Sequence, residues 1–293
     1  MELAEKKVAL EQLLRKMEKV TVAFSGGVDS ALLLFLASRV LPGKVQAVTA
    51  LSLSYAAHEK TDAEKLIKQL RIPCRYIQVN PLKIPGFAAN GPARCYHCKK
   101  RIFSKIQEIA GQSGYLQVID GSNADDAADY RPGRKALSEL GVRSPLAEVG
   151  LTKDEIRKLS REAGLFTADK PSYACLASRI PYGEKITAEK LACIEKGEDF
   201  LLGQGFTQVR VRCHGKLARI EVAPEEIVRL AGHVLREQVV KKFKDIGFHY
   251  ITVDLEGFRS GSMNLGLTQG LSDAAWSEDE KSVMSGESIG CRT

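Results

Sequence analysis

The sequence predicts an α/β protein in which a domain with a parallel sheet is followed by a smaller α+β domain. Three observations indicate this fold class. The chain has 293 residues, enough for two ordinary domains. Up to about residue 125, short apolar runs alternate with helical patterns, as in sheets whose strands are joined by right-handed helical crossovers. Beyond about residue 170 the order changes to helix, hairpin, helix and strand.

In the first domain, placed at residues 1–170, each expected strand is a short apolar run. The runs are KVTVAF, KVQAVTAL, CRYIQVN and YLQVIDGSN. Apolar spacing predicts helices over residues 1–18, 29–40, 58–71 and 99–110. Because a helix separates each strand from the next, we expect a parallel sheet with helices on both faces.

The second domain, placed at residues 171–266, is expected to be α+β. Its first helix is ITAEKLACIEKGEDFLLGQGF, closed by glycine, and the strands TQVRVRC and LARIEV flank the turn HGK as a hairpin. One long helix, PEEIVRLAGHVLREQVVKKFKDIG, begins with proline and leads to the strand FHYITVDLEGF. The polar tail, residues 267–293, has no periodicity and is expected to be disordered.

Composition narrows the class of partner. A net charge of +7 and a pI near 9.0 favour anions such as nucleotides, phosphorylated small molecules or RNA, with a mildly basic surface as the alternative. No stretch approaches the ~18 apolar residues of a membrane span, and the N-terminus lacks a signal peptide's apolar core. We therefore expect a cytoplasmic protein without a membrane partner, whose seven cysteines are not in disulfides.

A glycine turn, VAFSGGVDS, connects the first strand to the second helix. Such turns bind phosphate, because backbone N–H groups and the helix N-terminus converge on the anion. No lysine follows the glycines before the helix, which excludes GxxxxGK[ST], and the glycines are adjacent, which excludes GxGxxG. The turn instead resembles the SGGxDS motif of the PP-loop ATP pyrophosphatases.

The PP-loop resemblance implies an adenine nucleotide alpha hydrolase-like fold that uses ATP and Mg²⁺. An acceptor oxygen would attack the α-phosphate to give an adenylate and pyrophosphate, and ammonia or sulfur would then displace AMP. By the same resemblance, the residues that bind ATP are Ala23, Ser25, Gly26, Gly27, Asp29 and Ser30.

An acidic segment, IDGSNADDAADYRPGRKA, follows another parallel strand. Loops at the carboxyl ends of such strands are where α/β sheets bind ligands. Its aspartates can assist Mg²⁺ or orient the nucleotide, and its arginines can meet phosphate; the alternative is a helix cap followed by a solvated loop. The candidates are Asp120, Asp125, Asp126, Asp129, Arg131 and Arg134.

Three cysteines need an account of their own. Cys95 and Cys98 form a CxxC that we expect in a loop leading into a helix. A four-thiolate zinc site would need a second pair, and a redox dithiol would need a thioredoxin-like context. Two thiolates with Cys175 as a distant third would leave one position open, which suits an iron–sulfur cluster with one exposed iron. Local packing of the CxxC, with Cys175 acting alone, is the alternative.

Two arginines alternate along the strand VRVR. Arg210 and Arg212 share one face, with Arg219 and Glu221 of the next strand as expected cross-strand neighbours. Paired guanidinium groups suit phosphate or carboxylate recognition. The alternative is an exposed two-stranded β-ribbon with salt bridges, which would have the same sequence pattern. Glu198 and Glu221 are weaker candidates for a metal contact.

Together these segments resemble the LarE family of ATP-dependent sulfur transferases, over about residues 5–266. The segments that carry the resemblance are DYRPGRKA, SRIPYGEKIT, GFTQVRVRCHGKLARIEV and DLEGFRSGSMN. The family adenylates a carboxylate of pyridinium-3,5-biscarboxylic acid mononucleotide, and sulfur then replaces AMP to give the thiocarboxylate. Of the residues in the acidic segment, Asp120 and Arg131 are the ones that we expect to contact ATP. The resemblance implies substrate contacts at Ser178, Arg179, Arg210 and Arg212.

The resemblance implies two possible sulfur sources. Some members give up a cysteine sulfur and keep dehydroalanine, while others hold a [4Fe–4S] cluster through three cysteines and use sulfide or another donor. Cys95, Cys98 and Cys175 assign this chain to the second kind, with Cys175 catalytic in either case. We also expect a homo-oligomer. A tRNA-thiolating enzyme and an ammonia-using amide synthetase remain as rivals; the sequence shows no added RNA-binding module, which speaks against nucleic acid as a partner.

Overall fold

The computed structural model describes residues 1–115, 117–127, 132–171, 174–259 and 261–264. These residues form two compact units. The first comprises residues 1–80 and 95–171, and the second comprises 81–94 and 174–264. The limits predicted from the sequence, 1–170 and 171–266, stay predictions; the compact units differ from them in the placement of residues 81–94.

The first unit contains a four-stranded sheet in the order β3-β2-β1-β4, with every pair parallel. The predicted parallel α/β architecture is therefore confirmed. Its strands are β1 (Val20–Ala23), β2 (Val45–Leu51), β3 (Cys74–Gln78) and β4 (Gln117–Ile119). Its helices are α1 (Leu3–Met17), α2 (Val28–Val40), α3 (Ala57–Leu70), α4 (Arg94–Gln112), α5 (Gly133–Glu139), α6 (Pro145–Glu148) and α7 (Lys153–Glu162).

Burial explains why α2 holds a fixed position beside the central strand. Apolar residues lie on all its sides, and most of its length, including Ala31, Leu32, Leu33 and Leu34, is buried. A helix that is apolar all round belongs in a core. Because α2 starts directly after β1, this packing fixes its N-terminus at the carboxyl end of the sheet.

The second unit contains a three-stranded sheet in the order β5-β6-β7. The predicted hairpin is present, since β5 (Val209–His214) and β6 (Leu217–Val222) are antiparallel, whereas β7 (Tyr250–Val253) is parallel to β6. Helix α8 (Ala188–Gly203) precedes the hairpin.

The expectation of one long helix after the hairpin is wrong. A short 3₁₀ turn (Pro224–Glu226) leads into α9 (Ile227–Ala231), and α10 (His233–Ile246) begins anew. The break lies at Gly232, whose backbone is extended at ψ 143°. Glycine destabilises a helix interior, and here the chain departs from the helical conformation at that residue.

Hydrogen bonds explain why residues 81–94 group with the second unit. The side-chain amide of Asn90 donates to the carbonyls of Ile180, Pro181 and Glu184 at 3.2, 2.7 and 3.0 Å. The N–H of Ile186 adds a backbone bond to the Ala88 carbonyl at 2.9 Å. Buried backbone groups need such partners, so this segment is tied to the later part of the chain. Among the described residues, no helix has both the length and the apolar character that a membrane crossing needs.

Candidate active site

The glycine turn predicted to bind phosphate connects β1 to α2, as expected. Gly26 has φ +77°, and a Cβ there would lie 3.1 Å from the Ala63 Cβ and 3.2 Å from the Glu59 carbonyl oxygen. Both the conformation and the close approach therefore require glycine. Gly27 is the N-cap of α2, and within the described residues no side-chain cap bond is formed at the start of this helix, which leaves its first N–H groups without a cap.

Two serines and a tyrosine fix the shape of the turn. The Ser25 and Ser30 hydroxyl oxygens are 3.2 Å apart, and the Ser30 hydroxyl donates to the Gly27 carbonyl at 3.1 Å. Tyr55 lies just before α3, and its hydroxyl donates to the Ser25 carbonyl at 2.8 Å. Burial, aided by the nearby Glu59 carboxylate, raises the pKa of Tyr55, so this hydroxyl keeps its proton as a donor.

Asp29, in the first turn of α2, is held by two side chains from other elements. The Lys153 ammonium, at the start of α7, donates to one carboxylate oxygen, and the Asn123 amide donates to the other at 3.4 Å. Lys153 has no local signal in the sequence, because only the packing of α7 beside α2 brings these residues, 124 positions apart, together.

Asp120, predicted to contact ATP, is buried at the end of β4. Its two carboxylate oxygens accept hydrogen bonds from the Ser122 hydroxyl at 2.6 Å and the Ser144 hydroxyl at 2.5 Å. The Lys99 ammonium lies 4.0 Å away. The described contacts of this carboxylate are thus internal, and they hold the loop that follows β4.

The other acidic candidates behave as turn and cap residues. The Asp126 carboxylate accepts from the Asn123 N–H at 3.1 Å, and the Asp125 carboxylate accepts from the Lys153 N–H at 2.7 Å. Arg134 donates to the Asp126 carbonyl at 3.3 Å. These bonds fit the helix-cap alternative. Asp129 and Arg131 lie outside the described residues.

Gly121 brings the loop after β4 against the start of α2. A Cβ there would lie 2.8 Å from the Ser30 nitrogen and 3.2 Å from the Asp29 carbonyl carbon. We expect G121A to lower the free energy of unfolding by about 1–3 kcal/mol and to weaken ATP binding, because backbone atoms would have to move. Urea unfolding and ATP titration measure both effects. In the control G111A the new Cβ meets nothing within 4 Å, and equal losses in both variants would contradict the account.

A pocket of about 610 Å³ lies at the carboxyl ends of β2 and β3, beside the glycine turn. This is within the range of small-molecule sites. Tyr55 lines it and also binds the Ser25 carbonyl, so the pocket and the turn share a wall. The remaining lining residues are Leu51, Ser52, Leu53, Ala57, Lys60, Gln78, Val79 and Asn80.

In the second unit, Cys175 is exposed and its backbone is fixed. It precedes a 3₁₀ turn (Leu176–Arg179), and its carbonyl accepts from the Ser178 N–H at 2.9 Å. The Arg179 guanidinium also donates to the carbonyls of Ala174 at 2.6 Å and Cys175 at 3.3 Å. The Cys175 thiol is thus exposed on a loop whose carbonyl groups are hydrogen-bonded by the buried Arg179 side chain.

Arg179 itself is only 1% exposed, which differs from the expected substrate contact. It forms a two-point ion pair with Glu198 of α8, at 2.8 and 3.0 Å. Glu198 also accepts the Val211 N–H at 3.0 Å, so the pair links the Cys175 loop, α8 and β5. Neither carboxylate oxygen of Glu198 is without a partner, and the metal contact suggested for it stays a prediction.

The arginines of VRVR are buried, contrary to an exposed ribbon. Arg212 forms a two-point ion pair with Glu221 at 2.9 and 2.7 Å and donates to the Ser178 carbonyl at 3.2 Å. Arg210 lies with its guanidinium 4.9 Å from the centre of the Phe258 ring. The strand register places Arg210 opposite Glu221 and Arg212 opposite Arg219, which confirms the expected cross-strand neighbours.

The pKa of His214, at the end of β5, is shifted by its surroundings. Burial lowers its pKa, and the positive charges of Arg219 and Arg212 lower it further.

The CxxC lies in the first turns of α4, not in a loop before the helix as expected. Cys95 is exposed and Cys98 is half-buried, and the two lie three residues apart on one helix face. This spacing suits two ligands of one group. Within the described part of the chain, however, no three His, Cys, Asp or Glu side chains are arranged to hold a metal ion. The three-cysteine site stays a prediction.

Comparison with known proteins identifies the family. The NAD synthase family model matches residues 3–92, which include the glycine turn and the first three strands. An uncharacterized protein of Synechocystis sp. is 43% identical over 89% of this chain and 97% of its own, and one of Methanocaldococcus jannaschii is 32% identical over 84% and 92%. The pyridinium-3,5-bisthiocarboxylic acid mononucleotide synthase of Lactiplantibacillus plantarum is 38% identical over 91% of this chain and 96% of its own. Because this similarity spans nearly all of both chains, the protein belongs to the LarE family of PP-loop, ATP-using enzymes.

Proposed function

We propose that this protein is an ATP-dependent sulfur transferase acting on pyridinium-3,5-biscarboxylic acid mononucleotide. It would adenylate a carboxylate of that substrate and replace AMP with sulfur to give the thiocarboxylate. The observation that carries the proposal is the near full-length similarity to the synthase of that thiocarboxylated nucleotide. The uncapped α2 N-terminus behind a glycine turn supports the ATP-dependent half.

In the adenylation step the N–H groups at the start of α2, with Ser25 and Ser30, would hold the ATP phosphates. The adenosine would occupy the pocket walled by Tyr55. A substrate carboxylate oxygen attacks the α-phosphorus, the bond from that phosphorus to the bridging oxygen breaks, and pyrophosphate leaves with the electron pair. Asp29 would help to bind Mg²⁺, which would neutralise the phosphates.

In the second unit we propose different tasks for the three arginines. Arg212 would exchange Glu221 for a phosphate or carboxylate of the substrate, with Arg210 and Ser178 beside it. Arg179 would act as a positioning residue, because its donors face Glu198 and the carbonyls of the Cys175 loop. Adenylation makes AMP the leaving group, so a sulfur nucleophile attacks the acyl carbon and AMP departs.

For the sulfur source we propose a [4Fe–4S] cluster on Cys95, Cys98 and Cys175. The helical spacing of the first two and the exposure of Cys175 support it. When bound, such a cluster would supply the transferred sulfur from sulfide or another donor. The alternative is that Cys175 gives up its own sulfur: its Cβ–Sγ bond breaks by elimination, its Cα proton is lost, and dehydroalanine remains.

Substrate-dependent pyrophosphate release tests the adenylation and the substrate together. With ATP and Mg²⁺, we expect release that requires the biscarboxylated mononucleotide and is not replaced by tRNA. Ammonia in place of a sulfur source should not give an amide product. Release that instead requires tRNA, or an amide formed with ammonia, would favour one of the rival activities. The iron content of anaerobically purified wild-type protein and of a C95S/C98S variant separates the two sulfur sources.

A further inference from the structure

Two buried side chains from earlier in the chain hold the segment of residues 175–186 in place. Asn90 and Arg94 belong to residues 81–94, which follow β3 and end at the first residue of α4. The two residues are 0% and 6% exposed. Neither has a task in the proposed adenylation, so their hydrogen bonds need an explanation of their own.

Asn90 directs its side-chain N–H groups at this segment. Its two N–H donors face three carbonyls, those of Ile180, Pro181 and Glu184. Its backbone carbonyl accepts from the Gly183 N–H at 3.1 Å. The Asn90 backbone has φ +59°, a left-handed conformation that asparagine adopts more readily than most residues with a Cβ. Both the amide group and the backbone conformation therefore favour asparagine here.

Arg94 binds the same segment nearer to Cys175. Its guanidinium donates to the Asn90 side-chain oxygen and, at 3.1 Å, to the Ala177 carbonyl. The centre of the Tyr182 ring lies 4.8 Å from the guanidinium carbon. The described partners of Arg94 are thus an amide, a backbone carbonyl and an aromatic ring, and none of them is a carboxylate. A buried charge without a carboxylate partner is costly, so stability alone does not account for an arginine at this position.

The positions of these residues in the chain connect the bonds with sulfur transfer. Ala177 lies two residues after Cys175 and directly before Ser178, for which a substrate contact is proposed. Arg94 is the first residue of α4 and directly precedes Cys95 of the CxxC. One guanidinium therefore joins the residue before the CxxC to the turn that follows Cys175.

We propose that Asn90 and Arg94 are positioning residues for sulfur transfer, which hold the 175–186 segment so that Cys175 and Ser178 keep fixed places. This inference rests on the proposed function. Arg179 holds the carbonyl at the Cys175 end of the segment, and Asn90 and Arg94 hold the part that follows. Their side-chain hydrogen bonds go to backbone carbonyls and to each other, so they act through the conformation of the segment and not on the reacting atoms.

Amide hydrogen exchange measures this hold directly and needs no substrate. We expect N90G and R94M to speed exchange at the protected amides of residues 176–186 by about 10- to 100-fold, because each variant removes buried hydrogen bonds. Glycine at position 90 permits the left-handed backbone, so N90G tests the amide group alone. Amides of β1 and α2 should exchange as in the wild type. R101M, which replaces an exposed arginine of α4, is the matched control and should change neither region.

The two reaction steps give a second measurement, by single-turnover assay. Both variants should slow thiocarboxylate formation by about 10- to 100-fold, because small displacements of a reacting group are costly. Substrate-dependent pyrophosphate release should change less than about threefold. R94K, which keeps the charge and N–H donors, should fall between R94M and the wild type. A merely structural role would instead lower both steps together, through the folded fraction.

The outcomes that overturn the proposal are distinct from failure of the proposed function. Unchanged exchange of residues 176–186 in folded N90G and R94M overturns it, and so does faster exchange with thiocarboxylate formed at the wild-type rate. A parallel loss of both steps also overturns it. If R94M does not fold, R94K is measured in its place. If the wild type itself forms no thiocarboxylate, the proposed function fails, and the exchange result still decides whether Asn90 and Arg94 hold the segment.

Discussion

Replacing Cys175 with alanine is expected to lower the rate of thiocarboxylate formation by more than about 100-fold, while substrate-dependent pyrophosphate release continues. The thiol is exposed on a loop that Arg179 and the Ser178 N–H hold by its carbonyls. Adenylation is assigned to the other compact unit, so its chemistry does not need this sulfur. Single-turnover assays that follow pyrophosphate and thiocarboxylate in the same sample measure both steps.

C193A is the matched control for C175A, because Cys193 is half-buried and its thiol donates to the Ile246 carbonyl at 3.3 Å. We expect it to retain both steps. A C175A variant that makes thiocarboxylate at the wild-type rate would remove Cys175 from the mechanism under either sulfur source. Equal loss of pyrophosphate release would mean that the residue acts in adenylation or in folding.

Breaking the Arg179–Glu198 pair is expected to produce the largest loss of stability. Arg179 and Glu198 are 1% and 2% exposed, and each is the other's main partner. Removing one charge leaves the other buried and uncompensated, so E198A and R179M should each lower the free energy of unfolding by about 3–5 kcal/mol. Urea denaturation measures the loss.

The double variant R179M/E198M separates charge burial from packing. Because it leaves no unpaired charge, we expect it to be more stable than either single variant. It should nevertheless make less thiocarboxylate than wild type, since the carbonyls of the Cys175 loop lose their donor. Single variants with wild-type stability would contradict the pair's structural role, and a double variant with full activity would contradict its positioning role.

Local features of the sequence predicted much of the first unit. The runs KVTVAF and KVQAVTAL contain strands β1 and β2, and the glycine turn begins α2 within a residue of the expected position. Such features are readable because strand burial, helix periodicity and turn chemistry depend on neighbouring residues. The LarE resemblance was confirmed as well, because its motifs extend over most of the chain.

Features that depend on tertiary packing could not be predicted. The CxxC was expected in a loop, but α4 begins at Arg94, whose side chain is bound by the Asn90 side chain and the Ala177 carbonyl. Nothing local signals those partners. The break at Gly232 was missed because a single glycine is compatible with a continuous helix pattern.

The candidate site shows the same division. Asp29 was predicted from its motif, whereas its partner Lys153 comes from α7, far along the chain. Arg179 and Glu198 were both selected from the sequence, but for contacts with a ligand. Only their burial shows that they bind each other.

The most direct test of the central claim is the mass of the product. Wild-type protein is incubated anaerobically with ATP, Mg²⁺, sulfide and pyridinium-3,5-biscarboxylic acid mononucleotide, and the nucleotide is analysed by mass spectrometry. The account predicts that one carboxylate oxygen is replaced by sulfur, with AMP and pyrophosphate formed in equal amounts. An unchanged nucleotide, or ATP consumption without any sulfur-containing product, would contradict it.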